Sequence, residues 1–82
     1  MVDLSKFNGK EIKVIFGDGA EIEAIGEEYM YGDDFDEEFN SLALKITKVI
    51  KDRETHPFSE YIRKNILTAI YENENVNITE IL

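Results

Sequence analysis

The chain contains no cysteine. Disulfides, thiol nucleophiles and thiolate metal sites are excluded together, which is consistent with a reducing compartment. No apolar stretch approaches the roughly 20 residues that a membrane helix needs. The opening Met1-Val2-Asp3-Leu4 has neither the basic start nor the apolar run of a signal peptide, so a cytoplasmic location is the expectation. Cations are scarce. Nine Lys and Arg stand against 18 Asp and Glu, for a formal net charge of −9. Phosphate backbones are bound largely by Lys and Arg that displace condensed counterions, so nucleic acid is a poor partner. Anionic membrane surfaces are disfavoured for the same reason.

Catalytic patterns are missing too. His56 is the only histidine; acid–base work needs a positioned partner for it, and a metal site needs more ligands than one ring supplies. Lying in a polar stretch before Pro57, it reads as a surface or capping residue. Ser5, Ser41 and Ser59 have no nucleophile-elbow setting, and no Gly-rich phosphate loop is present. The expectation is a non-enzymatic chain with no catalytic residues, no cofactor and no metal site.

What is present is strand periodicity. At 82 residues there is room for a single domain, residues 1–82, with an efficient core. The charge permits disorder, but the regular spacing of Ile, Val, Leu and Phe argues against it. Residues 3–9 read as one helical turn, with Asp3 as N-cap, Leu4 and Phe7 on one face and Gly9 as the stop. Ile12, Val14 and Phe16 alternate with Glu11, Lys13 and Ile15. After Gly17-Asp18-Gly19, Ala20, Ile22 and Ala24 alternate with Glu21 and Glu23, giving an antiparallel hairpin. Gly26 marks a bend or bulge, and Tyr29-Met30-Tyr31 prolong the second strand. Leu42, Leu44 and Ile46 begin a third strand that runs on towards Ile50. Residues 58–71 fit both a helical stripe and a strand; the compromise is a short helix near 57–64 and a strand from about 66 to 72. Glu72-Asn73-Glu74-Asn75 is a turn, and Val76–Leu82 the last strand. Five short strands are too few for two stacked sheets. The fold class is therefore mainly β: one five-stranded, strongly bent sheet closing on itself as a small barrel, with a short N-terminal helix.

Leu4, Phe7, Gly9-Lys10, Ile12, Val14, Phe16, Asp18-Gly19 and Ile22 resemble the first half of the Sm motif. The acidic, tyrosine-bearing stretch from Tyr29 to Glu38 and the Ile78-Thr79-Glu80-Ile81 ending are similar to small bacterial Sm-like proteins. The likeness implies an SH3/Sm-like barrel, and self-association, because Sm proteins often form rings by pairing the fourth and fifth strands of neighbours. It does not carry RNA binding across. Ala24 replaces the usual Gly, a run of acids fills the loop after the second strand, and Glu72 to Asn75 occupy the turn where RNA-binding members have an Arg-Gly pair. Phe39-Asn40 is a partial echo of the base pocket.

The most distinctive segment is Glu27 to Asn40. Glu27, Glu28, Asp33, Asp34, Asp36, Glu37 and Glu38 crowd together with no cation among them. Asp34, Asp36 and Glu38 alternate as calcium ligands can, but the glycine and closing glutamate of an EF-hand are absent. A solvated loop extended by like charge is the plain reading. The functional one is a contact surface for a protein partner, the chain itself included, formed by Tyr29, Tyr31, Asp33, Asp34, Phe35, Asp36, Glu37, Glu38 and Phe39. Two other readings stay open: an acidic inhibitor or immunity-type protein mimicking nucleic acid against a basic partner, and a small-ligand sponge. Lys45, Lys48, Lys51, Arg53, Arg63 and Lys64 gather in strand three and after it, so the molecule is expected to be electrically polar.

Overall fold

Residues 3–82 are described by the computed structural model; the reading placed on Met1 and Val2 lies outside the described residues. A 3-10 turn over Leu4–Phe7 starts at Asp3, whose carboxylate accepts the Ser5 N–H at 3.1 Å. It buries Leu4 and Phe7 and stops at Gly9, where φ is +77°. β1 (Glu11–Phe16) and β2 (Glu21–Met30) pair antiparallel around Gly17-Asp18-Gly19. The Asp18 carboxylate accepts the Ala20 N–H at 3.0 Å, and Gly19 donates to the Phe16 carbonyl at 2.9 Å. Turn chemistry and strand alternation therefore agree, and Ile12, Val14, Phe16, Ala20, Ile22 and Ala24 are all buried.

β2 bends at Gly26. Its N–H donates to the Lys10 carbonyl at 2.9 Å and its carbonyl accepts from Gly9 at 2.7 Å. The register to the next strand shifts between Gly26 and Glu28. A Cβ here would lie 2.3 Å from the Phe7 carbonyl oxygen, so only glycine lets the N-terminal turn rest on the strand.

β3 (Ser41–Lys51) pairs with β2 along its length, and a connection then leads to α1 (Phe58–Lys64). Pro57 offers no side-chain cap. Asp52 reaches over instead, accepting the Phe58 N–H at 2.6 Å and the Ser59 N–H at 3.3 Å. The helix ends at Asn65, with φ +54°. There Asn65 donates to the Ile62 carbonyl at 3.1 Å and Ile66 to that of Tyr61 at 3.0 Å, the two bonds of a left-handed stop. Because this stop takes the Ile66 N–H, the strand expected from 66 starts later: β4 is Thr68–Tyr71. β5 is Val76–Glu80.

The five strands form one antiparallel sheet in the order β4-β3-β2-β1-β5. β4 and β5, consecutive in the chain, thus lie on opposite edges. Laid flat, five strands span about 19 Å. The Glu74 N–H bonds the Tyr71 carbonyl at 3.0 Å, closing a turn whose ends lie within about 7 Å, and Val76 follows two residues on. The sheet must curl until its edges face each other. That curl gathers Leu4, Ile12, Val14, Ile22, Leu42, Leu44 and Ile70 into one core.

The sheet is nevertheless not closed into a barrel, which corrects the closed interior expected from the alternating strands. Counted over four antiparallel steps, β4 and β5 run in the same nominal sense. Parallel neighbours need a crossover of about a dozen residues or more, which the short 72–75 turn does not supply. Both edges stay open among the described residues, with Val76 and Ile78 half-buried beside one of them. No helix of the described residues is long and apolar enough to cross a membrane.

Candidate functional site

The acidic segment is a folded loop with a fixed base. Gly32–Phe35 form a 3-10 turn, Asp36 takes the left-handed conformation, and Glu37 donates to the Gly32 carbonyl at 2.9 Å. Gly32 is buried, and its N–H donates to the Asn40 Oδ1 at 2.8 Å. A Cβ on Gly32 would sit 2.6 Å from the Glu37 carbonyl oxygen and 2.8 Å from that of Phe39. The loop therefore closes over a residue without a side chain. Asn40 is also bonded from outside, its carbonyl accepting the Glu72 N–H at 3.0 Å.

A tyrosine fastens this base to the β4–β5 turn. The Tyr29 hydroxyl donates to Glu72 at 2.5 Å, while its own N–H donates to the Asn8 Oδ1 at 3.1 Å. The Glu72 hydrogen bond, with partial desolvation, holds the Tyr29 phenol above its ordinary pKa. Tyr71 is raised likewise, chiefly by the Glu37 carboxylate near it and then by partial desolvation. Tyr31 meets Tyr29 edge to face, with centroids 5.2 Å apart.

The nine residues singled out in the sequence divide between base and crest. Tyr29 and Phe39 are half-buried. Tyr31 and Phe35 are 60% and 57% exposed, and Asp33, Asp34, Asp36, Glu37 and Glu38 all face solvent. Among the described residues no ion pair involves positions 33–38. Among the described residues no group of three or more His, Asp or Glu side chains is placed to hold a metal ion. The residues that shape the loop, Gly32, Asn40, Asn8, Glu72 and Tyr71, escape a reading by charge; the one local signal was a glycine inside an acidic run.

A second cluster lies at the end where α1 begins. The Arg53 guanidinium stands 4.4 Å from the Phe16 ring centroid and 4.7 Å from that of Phe58, and bonds Asp18 at 2.7 Å. The two rings stack at 5.1 Å. Asp18 is held below the usual carboxylate range, first by the Ala20 N–H and, against partial desolvation, by Arg53. Asp52 is lowered as well. Desolvation opposes this, but the Ser59 side chain and the N–H groups of Arg53, Phe58 and Ser59 together outweigh it. The cluster is a clasp between hairpin and helix. Of the basic strip it holds Arg53; elsewhere the strand register sets Lys48 and Lys51 opposite Glu23 and Glu21, and Arg63 pairs with Glu60. Lys45 and Lys64 form no ion pair among the described residues.

No protein-family model, curated protein or solved structure matches the chain.

Proposed function

We propose that the chain is a non-enzymatic, Sm-like interaction module that associates with copies of itself, with the loop from Tyr29 to Asn40 as its contact surface. The observation that carries this reading is a loop held in one shape from below while its crest shows two aromatic rings and five carboxylates to solvent. A loop fixed before binding loses little entropy when it docks. Aromatic side chains are the usual anchors of interfaces, and carboxylates at the rim guide the encounter. The open edges of β4 and β5 support self-association, since unpaired strand edges are templates for another chain. The bent sheet entered from a short helical turn supports the Sm-like likeness.

Light scattering at millimolar concentration tests the reading. The expected weight-average mass exceeds the 9.5 kDa of one chain and rises with concentration. Changing Asp33, Asp34, Asp36 and Glu38 to Asn or Gln, with Glu37 kept for Tyr71, lowers it. A wild-type protein that stays at one chain mass would end the self-association reading.

A further inference from the structure

α1 and β4 leave an apolar surface uncovered. Ile62, Ile66 and Leu67 are 44%, 49% and 51% exposed. They lie close together because the stop at Asn65 turns the chain before β4 begins. Tyr61 and Ile66 are common to two adjoining depressions, one running to Lys45 and Leu67, the other to Pro57 and Lys64. Contiguous exposed aliphatic side chains with a polar border mark interaction surfaces. The border here is basic on balance: Lys45 and Lys64 make no ion pair among the described residues, Arg63 is taken by Glu60, and Glu27 is the remaining carboxylate.

We infer that this groove receives the 31–38 loop of a second copy of the chain. The inference rests on the loop being a contact surface, and it names what the loop contacts. Charge complementarity selects the occupant. The loop carries exposed Tyr31 and Phe35 among carboxylates without ion pairs; the groove carries an apolar floor between cations. Within one molecule the two cannot meet. The groove adjoins the start of β4, whereas the loop is tied to its far end through the Asn40–Glu72 hydrogen bond. About 10 Å of strand separates them, and the base bonds keep the loop from swinging back. Between copies the contact is head to tail: each uses its loop on one side and its groove on the other, so the assembly either grows or closes into a ring. The rings pack on Ile62, Ile66 and Leu67, and the carboxylates face Lys45 and Lys64.

A charge swap tests this. One variant carries Lys45→Glu with Lys64→Glu, the other Asp33→Lys, Asp34→Lys and Glu38→Lys, which leaves three cations against Asp36 and Glu37 in the loop; all five positions are exposed and outside the core. Light scattering at millimolar concentration is made on each alone and on an equimolar mixture. Each variant alone is expected to fall to the mass of one chain, and the mixture to recover the wild-type mass, because the acidic groove now meets a basic loop. A groove variant that assembles like the wild type, or a mixture that stays at one chain mass, overturns the inference and leaves self-association through another surface standing. A wild-type protein that never exceeds one chain mass overturns both.

Discussion

Single residues set the tightest constraints in this molecule. Gly26 and Gly32 each sit where a methyl group would enter the space of a backbone carbonyl. Gly26→Ala is expected to destabilise the fold by roughly 1–3 kcal/mol, the range for forcing a group into filled space, as a lower urea midpoint. Ionisation acts at single residues as well. Asp3, Asp18 and Asp52 have folded pKa values below their unfolded ones, so their stabilisation is complete above about pH 4 and is lost as pH falls through the lower folded values. Tyr29 and Tyr71 are raised, so theirs is complete below about pH 10 and is lost as pH rises through the higher folded values. Thermal melts between pH 2 and 11 check this; a Tm that stays level below pH 4 would contradict it. The sequence showed the bend at Gly26 but not the role of Gly32, because a bend follows from strand chemistry and a buried loop base follows from contacts distant in the chain.

Elements were legible where local chemistry and periodicity agree. The N-terminal turn, the β1–β2 hairpin and the helix at 58–64 follow from an N-cap, an Asp-Gly turn and a proline at a helix start. The start of β4 was not, because Ile66 and Leu67 are strand-like residues held by a helix stop. The clasp joining α1 to the hairpin was hidden for a similar reason: Asp52 and Arg53 look like polar linker residues until Phe58 and Asp18 are folded against them. Asp52 stands in for the missing cap of α1. Asp52→Ala is therefore expected to cost about 1 kcal/mol, seen as a Tm lower by roughly 4–8 °C for a domain of this size. An unchanged Tm would show that the helix start does not depend on it.

At the level of the whole molecule, the bent sheet was readable and its open edges were not. Alternation tells a strand which face to bury; it does not say whether the last strand meets the fourth. That outcome depends on strand sense and on the length of one turn. The ladder to β1 leaves the N–H groups of Ile78 and Glu80 directed away from the sheet, because those of Ile81 and its alternates point to β1. Glu80→Pro therefore removes an edge donor without breaking a bond inside the chain. If strand edges contribute to self-association, its light-scattering mass falls while its Tm holds; an unchanged mass would assign assembly to other surfaces.

The position of β5 has a further consequence, in time rather than in space. β1 is made early, yet one of its two neighbours comes more than 60 residues later, from Val76–Glu80 pairing back onto Ile12–Phe16. During translation the nascent chain can form its first hairpin and the long β2–β3 pair while β1 still lacks its second partner. The sheet is complete only after residue 80 has cleared the ribosomal tunnel, so folding finishes as a late event and at the slower pace of distant pairings.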